Sequence, residues 1–134
     1  MPIGAVLGSL SFLPDRTPTT TDADATDAFA VLADYRDGGV FVGHWAGSSE
    51  WERHPVGDEI MVVIEGSTTI FFLAQRPEET GGSGDEEASA VLGAGDLVVV
   101  PRGVWHRFET PDGVKLLSVT PQPTDYSAGP PPSD

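Results

Sequence analysis

Hydrophobic and polar positions alternate in short runs along most of this chain. Residues 40–45, 59–64, 68–75, 89–92, 96–100, 104–109 and 115–119 are each rich in β-branched or aromatic side chains. Turn formers separate them: Arg36-Asp37-Gly38-Gly39, Glu65-Gly66, and the Gly- or Pro-containing segments 93–95, 101–103 and 111–113. Short, evenly spaced strands with such turns between them predict an all-β sandwich or barrel. Residues 5–13 read as a first edge strand and 14–27 as a surface loop. Residues 28–35 read as a strand, although 28–33 alone suit the start of a short helix equally well. No helical periodicity of any length is evident. Residues 46–49 are expected to loop into the strand that carries Glu52. In 68–75, Ile70 and Phe72 share one face and Phe71 and Leu73 the other, so both faces are apolar. That predicts cover on both sides, such as a partner subunit. Residues 77–87 read as a polar, acidic tip. Residues 121–134, with five Pro and few apolar side chains, read as an arm or frayed tail.

Composition narrows the class. A length of 134 residues suits one domain, with its core over about 28–120. The hydrophobic content of 39% and three Trp fit a globular chain. The net charge of −14 sets 21 acidic residues against seven basic ones, of which only Lys115 is Lys. So acidic a surface argues against nucleic acid and anionic membranes as partners, and reads as a solvated face. There is no Cys, which excludes disulfides, zinc–thiolate sites and cysteine nucleophiles and is compatible with a cytoplasmic location. Residues 1–13 lack a basic leader and are broken by Gly4 and Gly8, so they do not read as a signal peptide. No apolar run approaches the ~20 residues of a membrane helix.

The candidate chemistry sits in 51–66, WERHPVGDEIMVVIEG. Glu52 and His54 are two apart and project from one face of a strand. A turn at 55–58 reverses the chain, and Glu59 opens the next strand. Two carboxylates and an imidazole at one hairpin end begin a divalent-metal site. Residues 95–106 then read as a strand, a Pro/Gly turn and a new strand carrying His106.

In these spacings the chain resembles the cupin superfamily over about residues 39–120. The first cupin motif has two ligands separated by one residue, then a Glu, then a Gly seven positions beyond it; Glu52, His54, Glu59 and Gly66 fit. In the second, Gly95, Pro101, Gly103 and His106 fit without a gap. Three positions depart from the pattern. Glu52 stands where the first His is usual, Ala46 where the leading Gly is usual, and Thr110 where the closing Asn is usual. The resemblance implies a double-stranded β-helix, or jelly roll, holding a divalent metal at Glu52, His54, Glu59 and His106.

Parity supplies the surroundings. If Glu59 points inward, so do Met61 and Val63; if His106 does, so do Val104 and Phe108. Polar groups above apolar walls are the usual build of a small-molecule site. Glu52 in place of an imidazole makes the set harder and more anionic, favouring Mn²⁺ or Fe²⁺, with Zn²⁺ and Ni²⁺ still compatible. The two carboxylates neutralise a divalent ion and disfavour anionic substrates unless Arg53, Arg102 or Arg107 turns inward; alternation sends Arg53 and Arg107 outward. Each ligand has a plain alternative: a surface carboxylate for Glu52, and hydrogen-bonded barrel-mouth groups for the others. Glu59 or Glu52 is a candidate general base. His44, in phase with Val40 and Val42, reads as a packed or surface histidine, or as an acid/base group or replacement ligand behind the four. Trp45, Trp51 and Trp105 read as core or interface aromatics, with an aromatic wall for a planar substrate as the lesser alternative. Gly81-Gly82-Ser83-Gly84 lacks the Lys and helix of a phosphate loop. The expected function is metal-dependent chemistry on a small organic molecule, of dioxygenase, isomerase or lyase type, in a homodimer. The rival is a non-catalytic ligand-binding or sensor barrel whose metal is absent or structural.

Overall fold

The alternating runs form nine strands among the described residues, which in this computed structural model are 2–75 and 85–131. They are β1 (Leu13–Arg16), β2 (Phe29–Tyr35), β3 (Gly38–Ser48), β4 (Trp51–Arg53), β5 (Glu59–Gln75), β6 (Asp85–Gly93), β7 (Leu97–Val100), β8 (Trp105–Pro121) and β9 (Asp125–Ser127). β8 is the axis of the arrangement: it pairs antiparallel with β3, β4 and β5. β5 pairs in turn with β6 and β7, β3 with β2 and with β1, and β4 with β9. This is the expected all-β jelly roll. Inward side chains of several strands, among them Trp45, Met61, Val63, Ile70, Phe108, Val114 and Leu116, make the main core.

Two predicted turns are bulges inside long strands. β5 and β8 each run 17 residues and pair along their length, with register shifts on either side of Gly66. Gly66 (φ +82°) and Gly113 (φ +97°) lie together at this crease, where a Cβ on Gly66 would stand 2.3 Å from the Gly113 carbonyl oxygen. A local hydrophobic pattern does not distinguish a chain reversal from a bulge, since both interrupt the alternation and both take Gly at positive φ.

Three further expectations change. Residues 5–13 are not a strand, because Ile3–Ser9 forms a helix, α1. The periodicity was available: Ile3, Val6, Leu7 and Leu10 fall at i, i+3, i+4 and i+7. Leu7 is buried with Leu32 and Val42, and Val6 and Leu10 pack beside it, forming a second small core on the outside of β2 and β3. Residues 46–48 continue β3 instead of looping. The tail expected to fray is docked as far as β9, which pairs with β4 through Trp51↔Ser127, Glu52↔Tyr126 and Arg53↔Asp125. The polar tip at 77–87 falls outside the described residues apart from 85–87, which open β6. A four-residue helix, α2 (Asp22–Ala25), capped by Thr21, lies within the segment read as loop. No helix among the described residues is long and apolar enough to cross a membrane.

Candidate metal centre

Glu59 opens β5 on the inward parity, with Met61 and Val63 buried behind it. His106 is the second residue of β8, directly opposite Glu52 of β4. His54 follows β4 by one residue. β8 curls so far around the barrel that both its ends reach one carboxylate. His106 Nε2 lies 3.0 Å from Glu59 Oε1, and the Thr120 hydroxyl donates to Glu59 Oε2 at 2.5 Å. Fourteen positions of straight strand would separate these two residues by about 46 Å; the crease at Gly113 is what brings them together.

The structure thus assembles all four sequence-derived candidates. His54 Nε2 stands 3.2 Å from Glu59 Oε1 and 3.9 Å from Glu52 Oε1, and His106 Nε2 stands 3.4 Å from Glu52 Oε1. One ligand atom from each of the four residues lies within 4.8 Å of all the others. Metal–ligand bonds of about 2.0–2.2 Å place neighbouring ligand atoms about 2.9–3.6 Å apart and opposite ones about 4.0–4.4 Å apart, so the cluster has the dimensions of a coordination shell. Glu59, His54 and His106 are buried, at 2%, 3% and 0% exposure, and Glu52 is the open member at 19%.

Hydrogen bonds from behind orient both rings. His106 Nδ1 lies 3.0 Å from the Val104 carbonyl, an acceptor only, so Nδ1 carries hydrogen and Nε2 faces the cluster. His54 Nδ1 lies 3.0 Å from Thr124 Oγ1, whose own proton goes to Gln122 Oε1 at 3.2 Å. His54 Nδ1 is therefore the donor in that pair. His54 Nε2 is left buried and without a hydrogen-bond partner among the described residues, although Glu59 Oε1 is within reach; alignment, not distance, fails. A buried imidazole lone pair aimed at a shared point is the donor a metal requires.

Electrostatics agree. Burial pushes the Glu59 carboxyl up, but the hydrogen bond from His106 and the close approach of both imidazoles outweigh it and hold it at about 2. Burial pushes His106 down, and the carboxylates of Glu52 and Glu59 overcome that and raise it to about 10. In the metal-free protein a proton on His106 balances the carboxylates at the place where a cation fits.

Other candidates stand elsewhere. His44 is not brought to the cluster. It stacks 4.7 Å from the Phe12 ring in a separate cleft of about 170 Å³ with Glu65 and Lys115. The phase it shares with Val42 is that of the outer face, where Val42 meets α1. Arg102 is exposed and donates to the Pro55 carbonyl, Arg53 pairs with Asp125 at 2.9 Å, and Arg107 lies 4.2 Å above the Phe71 ring. That last contact covers the outer aromatic of β5 within the chain itself. Trp45, Trp51 and Trp105 are all buried. Sequence reasoning missed Thr120, Thr124 and Arg16. Thr120 was within reach, because the alternation of Val114 and Leu116 continues through Ser118 to Thr120. Thr124 and Arg16 lie in segments with no pattern, read as tail and loop.

The cluster opens into a cavity of about 660 Å³, with Phe29, Trp45, Met61, Phe108 and Leu116 among its walls. Arg16 lines it too, its guanidinium lowered by burial against the opposing charges of Glu52 and Glu50.

Comparison with known proteins gives one family. A cupin domain family model matches residues 43–120. Uncharacterized protein YdbB of Bacillus subtilis (strain 168) is 32% identical over 76 residues, 57% of this chain and 57% of that protein, so the chain spans little more than half of this curated relative. A cupin-2 domain containing protein from Shewanella frigidimarina has the same fold, with a TM-score of 0.54 and 22% identity over 78% of this chain and 96% of that one. Hydroquinone 1,2-dioxygenase from Sphingomonas sp. TTNP3, with 4-hydroxybenzoate bound, superposes with a TM-score of 0.58 at 15% identity, covering 69% of this chain and 64% of the enzyme.

Proposed function

This chain belongs to the cupin domain family, and from that premise we propose that it is a divalent-metal protein acting on a small organic molecule, of dioxygenase, isomerase or lyase type. Glu52, His54, Glu59 and His106 would hold the ion. The observation that carries this reading is the buried Nε2 of His54, which makes no hydrogen bond among the described residues and lies within 4.8 Å of three further ligand atoms. Two imidazoles and two carboxylates suit Mn²⁺ or Fe²⁺, with Zn²⁺ and Ni²⁺ compatible. When bound, such an ion supplies Lewis acidity toward an oxygen ligand.

The chain's own residues divide the remaining work. The apolar walls give an organic molecule a surface to pack on, and Val104 and Thr124 orient the two imidazoles. Both oxygens of Glu59 are engaged, by His106 and Thr120, which makes it a fixed anchor. Glu52 is more open and better suited to accept a proton from a bound molecule. The dioxygenase variant draws support from the fold shared with the hydroquinone enzyme. The homodimer reading is supported by Ile60, Val91, Leu97 and Val99, exposed together on the outer face of β5–β7.

The test is elemental analysis of protein purified without a histidine tag or chelator, repeated on His106→Ala and Glu52→Ala. Near-stoichiometric Mn, Fe, Ni or Zn that is lost in His106→Ala is the expected result. Wild-type protein that takes up no metal even after anaerobic incubation with each ion would overturn the proposal. A dioxygen-uptake screen of the loaded protein then separates dioxygenase from isomerase or lyase chemistry.

A further inference from the structure

Arg16 ends β1, and its backbone is held against β3 at Gly47. A Cβ at Gly47 would stand 2.2 Å from the Arg16 carbonyl oxygen, so only glycine lets the two strands approach here. The side chain enters the cavity wall with its guanidinium carbon 4.4 Å from the Trp45 ring centroid and 5.3 Å from that of Phe29. The guanidinium thus lies over both rings, contacts that take none of its N–H donors. Its edges carry five N–H donors in a planar fork. Among the described residues, Arg16 makes no hydrogen bond through its side chain and no ion pair within 4.0 Å. Glu50 and Glu52 line the same cavity and their charges act on it, but neither pairs with it. A half-buried donor fork without an acceptor is costly unless something fills it.

We propose that Arg16 is a carboxylate-binding subsite of this cavity, and that the molecule it selects is a small aromatic carboxylate. The fork geometry of guanidinium matches a carboxylate in two parallel hydrogen bonds. Phe29, Trp45 and Phe108 supply walls for a planar ring. The cavity volume is within the range of small-molecule sites. The subsite deepens the metal reading, on which the rest of the ligand's placement depends, while the contact with Arg16 needs no metal. A divalent ion would balance Glu52 and Glu59, and Arg16 offsets the charge of Glu50 in the same cavity, so an anionic ligand then meets no net negative charge from these groups.

The test is calorimetric titration of the full chain, metal-free and Mn²⁺-loaded, with benzoate and with its neutral isostere benzamide. Wild type is expected to prefer benzoate by about tenfold or more. Arg16→Met keeps the apolar stem over Trp45 and is expected to bring the ratio to about one, leaving benzamide affinity within about threefold of wild type. Arg16→Lys, which retains the charge without the fork, is expected to keep part of the preference and serves if Arg16→Met does not fold. No preference in wild type, or full preference persisting in a folded Arg16→Met, would overturn the proposal. Benzoate selectivity in a protein that takes up none of Mn²⁺, Fe²⁺, Ni²⁺ and Zn²⁺ would sink the metal reading and leave this one standing. Mn²⁺ uptake without selectivity would do the reverse.

Discussion

Replacing Thr124 by Val removes one oxygen and keeps the shape of the side chain. The Nδ1 hydrogen of His54 then loses the acceptor 3.0 Å away, inside a residue only 3% exposed. A buried donor left unsatisfied costs about 1–3 kcal/mol. The ring escapes that cost by rotating or by moving its proton to Nε2, and either change withdraws the lone pair from the cluster. Loss of such a supporting hydrogen bond lowers metal affinity by about 10–100-fold. The assay is competition of Mn²⁺ or Zn²⁺ between the protein and a chelator of known affinity, with thermal melts of the metal-free form. Thr124→Ser is expected to bind as wild type does. Asp125→Asn tests the alternative that any damage to the docked tail is enough. It breaks an ion pair whose side chains are 28% and 45% exposed, a contact worth under about 1 kcal/mol, and is expected to leave metal affinity within about threefold. A folded Thr124→Val with affinity within about twofold of wild type would refute the orienting role of Thr124.

Stability of the metal-free protein should depend on pH at both ends. Glu59 is depressed from 4.5 to about 2, so its contribution is present above 4.5 and lost as pH falls toward 2. His106 is raised from 6.5 to about 10, so its contribution is complete below 6.5 and lost as pH rises toward 10. The two shifts share one interaction and are not additive. Melting temperatures across pH should therefore be highest between about 4.5 and 6.5, and a maximum near pH 9 would contradict the pairing. Gly66→Ala combines positive φ with a Cβ 2.3 Å from a backbone oxygen, whereas Gly95→Ala meets positive φ (+90°) with nothing within 4 Å. Urea unfolding should show Gly95→Ala losing about 1–2 kcal/mol and Gly66→Ala losing more; equal losses would show that the crease yields.

The four-residue cluster was legible because each of its members lies in a stretch with local order. Glu52 and His54 share a strand phase, Glu59 opens a strand and His106 is the second residue of another, and the glycines and prolines between them keep fixed spacings. The inward company of Glu59 and His106 followed from period two alone. Residues whose place depends on long-range packing were not legible. His44 has the right spacing to Val42, but parity within one strand does not say which face is the interior, and α1 claims the face they share. Arg16 and Thr124 are held by Gly47 and by pairing with β4, contacts between segments far apart in sequence. The long strands were broken in two for a related reason: Gly66 and Gly113 look like turns until each is seen to be accommodated by the other.

The contacts that complete the centre join residues 47, 61 and 70 positions apart, for His106–Glu59, Thr120–Glu59 and His54–Thr124. Glu52, His54 and Glu59 lie within eight residues of one another, and His106 comes from far along the chain. Closing loops of this length carries an entropy cost that local structure does not repay until both long strands have paired, and folds dominated by such contacts form slowly. An unfolded or half-folded chain therefore lacks His106 beside the other three groups, and lacks the backing of Thr120 and Thr124 that holds Glu59 and His54 in place. Any ion taken at these four groups is taken after the barrel has closed, so it acts on unfolding and leaves the folding rate unchanged. Metal added to refolding protein would lengthen the lifetime of the finished barrel without hastening its formation.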